Sequence, residues 1–259
     1  MYKILQKVLF LILTLGILVT CFYKKRIENT VIQQIKMPDI KTDYDLDVGR
    51  KLISNNSHYF IRQQQLPPFR TDTNPQRILL IGDSMSKWLR YRLQDYCEEN
   101  GHKLFTVTWV SGNTEWFAKF DTLSYFIKKE KISYVFLVLG SNELFIKDFE
   151  KSRGANVDKI VKKLDGVKWI WVGPPNWKKD KGINDCLLGK LGDRKFFVSK
   201  ELKFKRQSDG MHPTIASCSI WVDSVVIWIS NQSSSRIKLN VPDSSYNLKP
   251  DAVLLKPLL

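Results

Sequence analysis

From residue 77 onward the chain alternates between short, almost wholly apolar runs and longer stretches whose apolar residues recur at helical spacing. Residues 77–82 form the first run, which is rich in branched side chains and stops at Gly82. Trp88, Leu89, Leu93 and Tyr96 then predict a helix over 86–100, closed by Gly101. The same reading predicts strands at 103–110, 132–139, 167–172 and 195–198, with helices at 115–129, 157–164 and 214–229. Runs apolar at successive positions, not at alternate ones, fit strands buried on both faces, as in a parallel sheet covered by helices. The pattern therefore predicts an α/β domain with five parallel strands.

The flanks read differently. Residues 8–22 are apolar apart from Thr14 and Thr20, with lysines on both sides and no small-residue cleavage site behind them. This favours an uncleaved signal anchor, a transmembrane segment, over a removed signal peptide. Cationic residues on both flanks leave its orientation open. Residues 24–74 are polar and mixed in charge, with Pro38, Pro67 and Pro68, and read as a stalk with one helix near 48–64. Beyond 231 the chain turns Ser-rich and loses its period, and is expected to pack loosely or stay disordered. The chain thus divides into an anchor (1–23), a stalk (24–74), a catalytic-size domain (75–231) and a tail (232–259). With 259 residues and 43% hydrophobic content, one sizeable core is the natural count.

A net charge of +15 points to acidic partners without choosing among glycans, headgroups and nucleic acid. No finger-type Cys/His spacing and no RNA-binding motif supports the last of these, so nucleic acid is not an expected partner. Cys21, Cys97, Cys186 and Cys218 lack metal-ligand spacing, and Cys97 and Cys218 fit reduced core positions in helices. No metal or organic cofactor is implied.

Chemistry-bearing residues gather at the predicted strand ends. Ser84 lies at the first strand-to-helix turn, Gly112 after the second strand, Asn142 after the third, and Asp209 and His212 in the loop before the last helix. Each has a plain explanation as a turn or capping residue. Together they supply what acyl transfer needs: a hydroxyl nucleophile, a base, a carboxylate to orient it, and donors for an oxyanion. Of the three histidines, only His212 has an acid so close at a strand end; His58 falls in the stalk, and His102 is expected at the surface.

The blocks Gly82-Asp83-Ser84, Ser111-Gly112-Asn113-Thr114, Gly140-Ser141-Asn142-Glu143 and Asp209-Gly210-Met211-His212-Pro213 resemble, in content and order, those of the SGNH (GDSL-type) hydrolases. The resemblance covers about residues 77–230, with Glu143 where the family usually has Asp. It implies a flavodoxin-like three-layer α/β/α fold with strand order 2-1-3-4-5, setting Ser84 and Asn142 across the switch point. It also implies Ser84 as nucleophile, His212 as base and then acid, Asp209 as its orienter, and an oxyanion hole of Ser84, Gly112 and Asn142. Glu143 would support its loop. With the anchor, the chain resembles envelope-associated members that handle acetyl groups on polysaccharides outside the cytoplasmic membrane. The expectation is an esterase acting on an acylated glycan. Alternatives are an O-acetyltransferase served by a membrane-bound acyl donor protein and, in another class, an idle glycan-binding module. Lys203, Lys205 and Arg206 are candidate contacts to an anionic glycan.

Overall fold

The computed structural model describes residues 70–243, 245 and 250–257. The apolar run at 8–22, the stalk helix, Cys21 and His58 lie outside the described residues, among which no helix is long and apolar enough to cross a membrane.

Six parallel strands make one sheet: β1 (Arg77–Gly82), β2 (Lys103–Trp109), β3 (Tyr134–Val138), β4 (Lys168–Val172), β5 (Phe196–Phe197) and β6 (Ala252–Leu255), in the order β5-β4-β3-β1-β2-β6. The 2-1-3-4-5 order is present, extended by a strand. That sixth strand corrects the expectation of five strands and a loosely packed tail. A four-residue run is too short to show a period, and it is held by long-range partners: Thr106 donates its hydroxyl to the Asp251 carbonyl (2.6 Å) and Trp109 its indole N–H to that of Lys256 (3.0 Å).

The helices are α1 (Leu89–Glu99), α2 (Thr114–Lys119), α3 (Thr122–Lys129), α4 (Phe149–Lys163), α5 (Ile183–Leu191) and α6 (Ile215–Asn231). Successive β1 side chains point to opposite faces. Ile78 and Leu80 meet α1 and α6, while Leu79 and Ile81 meet the core that α2 to α5 cover. This is the three-layer arrangement, and central β3 is apolar and buried on both sides because both sides are roofed.

Two departures from the pattern have non-local causes. The helix expected at 115–129 is broken because Lys163, on α4, donates to the Phe117, Ala118 and Phe120 carbonyls at 3.0, 2.9 and 2.7 Å, ending α2. Helix α4 starts well before the expected 157, at Phe149, a buried residue in the same core. Helix α5, between glycines 182 and 192, has no counterpart in the pattern reading.

On the opposite face, α1 is locked to α6 by a buried polar cluster. Arg92 Nε and the Tyr96 hydroxyl donate to one oxygen of Asp223 at 2.8 and 2.9 Å. His102 is buried, contrary to its expected place at the surface: Nδ1 accepts the Gln76 N–H (3.0 Å) and Nε2 bonds the Lys238 carbonyl (2.6 Å). Cys97, Cys186 and Cys218 are buried free thiols.

Candidate active site

Gly82 ends β1 where only hydrogen fits: a Cβ there would lie 1.9 Å from the Val138 carbonyl oxygen of neighbouring β3. Asp83 follows and caps a short 3₁₀ helix (Ser84–Trp88), which replaces the first turn of the expected 86–100 helix. Ser84 opens that helix, a position whose N–H has no intrahelical acceptor.

Far along the chain, the loop before α6 brings its own acid and base to the same place. His212 Nε2 lies 2.9 Å from Ser84 Oγ, and His212 Nδ1 lies 2.7 Å from Asp209 Oδ2. The other Asp209 oxygen accepts the N–H groups of Met211 (2.8 Å) and His212 (2.9 Å), so the carboxylate is fixed from both sides. The hydrogen bond from the His212 ring, seconded by those two amides, holds Asp209 down at about 2, well below the usual carboxylate range. It stays ionised across the working range of an imidazole base. The three side chains that the sequence singled out are thus in hydrogen-bonding sequence, Ser84 to His212 to Asp209.

The remaining site residues converge through two buried carboxylates. Asp83, fully buried, accepts Met85 N–H on one oxygen (2.9 Å) and Gly140 and Ser141 N–H on the other (3.2 and 3.0 Å), tying the Ser84 turn to the Asn142 loop. Burial pushes its carboxyl up to about 6. Glu143 accepts the N–H and hydroxyl of Thr114 at 2.8 and 2.7 Å, tying the Asn142 loop to the Gly112 loop. Burial raises the Glu143 carboxyl, against the pull of those bonds. Glu143 therefore does brace its loop, as expected of that position. The bracing role of Asp83 escaped sequence reasoning; an acid directly after a buried strand was the available signal.

Gly112 is engaged through both of its backbone groups. Its N–H donates to the Trp109 carbonyl (2.9 Å) within its own turn, where Ser111 takes a φ of 60°, and its carbonyl accepts from Asn142 Nδ2 (2.8 Å). Gly112 thus orients Asn142 from behind, with its own N–H engaged. Asn142 is exposed and retains a second N–H on Nδ2.

Among the basic candidates, Lys203 and Lys205 are exposed. Arg206 is not a free cation: its guanidinium donates to the Pro175 and Asn176 carbonyls (2.9 Å each) and to that of Met211. It clasps the loop after β4 to the His212 loop. Among the described residues no group of three or more His, Cys, Asp or Glu is placed to hold a metal ion.

No family model matches the sequence, and no curated protein matches it. Among solved structures, the chain is similar to the psychrotrophic esterase EstA from Pseudoalteromonas sp., at 16% identity and a TM-score of 0.44 over 60% of this chain and 100% of that one. It is also similar to a family 3 carbohydrate esterase of Clostridium thermocellum (16%, TM-score 0.43, 62% and 100%). A third is the C-terminal catalytic domain of Streptococcus pneumoniae peptidoglycan O-acetyltransferase A (16%, TM-score 0.44, 63% and 99%).

Proposed function

We propose that this chain is a serine esterase of the SGNH type that removes acyl groups, acetyl foremost, from a glycan of the cell envelope or its surroundings. One observation carries the reading: the unbroken contact from Ser84 Oγ to His212 Nε2 (2.9 Å) and from His212 Nδ1 to Asp209 (2.7 Å). Ser84 attacks the ester carbonyl as His212 Nε2 takes its proton, and the ionised Asp209 stabilises the resulting imidazolium. The tetrahedral oxyanion is met by the Ser84 N–H and by the second N–H of Asn142 Nδ2. Gly112 supports from behind, its own N–H reaching the oxyanion only as a shared branch of its bond to Trp109. Collapse expels the sugar oxygen, which receives the proton from His212 and leaves an acyl-Ser84 ester. Water, deprotonated by His212, releases the acid and restores the site.

The apolar run at 8–22 supports tethering to a membrane, and the acyl-glycan reading sets the domain on the extracytoplasmic side, where such glycans occur. A sugar hydroxyl in place of water would make the same acyl-enzyme an O-acetyltransferase, fed by a membrane-bound donor. A fluorophosphonate probe should label Ser84, and Ser84→Ala should abolish both labelling and turnover of 4-nitrophenyl acetate while leaving the circular dichroism spectrum intact. Undiminished turnover in that variant would end the nucleophile assignment; no labelling of the wild type would leave a binding module. Mass spectrometry of products formed with a sugar acceptor competing against water separates hydrolysis from transfer.

A further inference from the structure

The loop between β4 and α5 carries Lys178, Lys179 and Lys181, a basic run that the acyl-transfer chemistry does not use. Its one acid is turned inward. Asp180 accepts the Gly182 N–H on one oxygen (2.8 Å) and the side-chain amides of Asn176 and Asn184 on the other (2.8 and 3.0 Å), so it braces the loop. The three lysines are exposed, and none has an acid partner among the described residues.

The same loop sets Trp177 against Phe145 of the loop that follows β3. Phe145 stands edge-on to Trp177, with centroids 5.3 Å apart and planes at 81°, and is 44% exposed. Lys178 Nζ lies over the pair, 5.1 Å from the Trp177 ring and 5.6 Å from Phe145. Three contacts fix where this platform sits. Trp177 donates its indole N–H to the Ser141 carbonyl (3.3 Å), next to Asn142. Phe145 follows Asn142 in the same loop. Asn176, next to Trp177, is held by Arg206, which also binds the Met211 carbonyl beside His212. The aromatic pair is therefore tied both to the loop that carries Asn142 and, through Asn176 and Arg206, to the loop that carries His212.

An exposed aromatic surface tied to the loops of Asn142 and His212 suits the C–H groups of a sugar ring, and the ammonium over those rings suits an acidic substituent on that sugar. We propose that Phe145, Trp177 and Lys178 form a glycan subsite that takes a pyranose bearing an acidic group, beside the acyl ester presented to Ser84. The subsite rests on the acyl-glycan reading above and names the substrate class more narrowly: an acidic glycan, with the acid as carboxylate or phosphate.

The test uses the full chain in detergent micelles and two readouts. Binding is measured by affinity electrophoresis with polygalacturonate, with a phosphomannan and with neutral mannan, and catalysis by turnover of 4-nitrophenyl acetate. The wild type should bind one or both acidic polymers more tightly than the neutral one, and whichever is tighter identifies the acid. Phe145→Ala should weaken polymer binding about fivefold to tenfold, and Lys178→Ala should weaken only the acidic arms, by about threefold. Reporter turnover should stay within about twofold in both variants, because neither residue touches the triad. Equal binding of acidic and neutral polymers by the wild type, or unchanged binding in Phe145→Ala, overturns the subsite. A parallel fall in reporter turnover also overturns it, since that would make the residues supports of the triad. Loss of wild-type reporter activity with binding preserved would instead sink the esterase reading and leave the platform standing.

Discussion

Asn142 offers the sharpest separation of chemistry from folding. Its side chain is exposed and makes one intramolecular hydrogen bond, Nδ2 to the Gly112 carbonyl at 2.8 Å. Deleting it in Asn142→Ala leaves the carbonyl of the buried Gly112 without that donor, at a cost of about 1–3 kcal/mol. For a domain of this size that lowers the melting temperature by at most about 12 °C. Catalysis should respond far more. Loss of one preorganised oxyanion donor costs about 10²–10³ in kcat, or about 2.7–4 kcal/mol of transition-state stabilisation. Because the bond to the oxyanion forms fully only as charge develops, KM for 4-nitrophenyl acetate should move little. Asn142→Asp sharpens the test: it keeps the shape but sets a carboxylate against both the Gly112 carbonyl and the oxyanion, so it should be slower than the alanine variant. Steady-state kinetics beside thermal unfolding reads all three quantities. A kcat for Asn142→Ala within about threefold of wild type, in a protein of wild-type stability, would refute its place in the oxyanion hole.

The cluster on the opposite face should behave in the reverse sense: Asp223→Ala takes from the buried Arg92 its nearer carboxylate, leaving Asp95 at 3.6 Å, and from the Tyr96 hydroxyl its Asp223 acceptor, and should cost about 1.5–3 kcal/mol in urea unfolding, with kcat at a permissive temperature nearly unchanged. Asp223→Asn, which keeps an acceptor for the Tyr96 hydroxyl, should cost less than the alanine variant, and an equal cost would place the loss in the missing charge. Stability should also carry a pH signature from Asp83, whose carboxyl is pushed by burial from 3.8 up to about 6. A raised value favours the protonated fold, so this contribution is complete below about pH 4 and is lost as pH rises through about 6, on the order of 3 kcal/mol in all. Urea midpoints from pH 4 to 7 should therefore fall for the wild type relative to Asp83→Asn, and parallel curves would show that the carboxyl does not titrate there. His102 works in the opposite direction: burial lowers it, so its contribution is present above its ordinary 6.5 and is lost as pH falls through its depressed value. His102→Gln should flatten the acid limb of the midpoint curve, and an unaltered limb would place the titration elsewhere.

Much of the fold was legible because its signals are local. An apolar run such as 134–138 must be covered on both faces, and a helix such as α6 carries its own start signal in Thr214, whose hydroxyl accepts the Ser217 N–H at 3.2 Å. Ser84, His212 and Asp209 were legible as a group because strand-end loops are where chemistry gathers in such sheets, and His212 has its acid within the same loop. What stayed hidden depends on partners distant in sequence. Lys163 breaks a helix more than forty positions away, and β6 exists only because β2 has a free edge to offer it. Arg206 reads as a surface cation until the carbonyls of Pro175 and Asn176 are seen to surround it.

The linear order of residues determined the alternation of strand and helix, and it put the serine, asparagine, acid and histidine at the ends where a parallel sheet exposes its loops. Local propensity and burial need only near neighbours, so those decisions are written in short stretches. Whether Ser84 meets His212, whether Gly112 spends its N–H on Trp109, and which cations remain outward were decided by the folded chain. Each depends on atoms brought within hydrogen-bonding range by the packing of whole elements, and no short stretch encodes that distance.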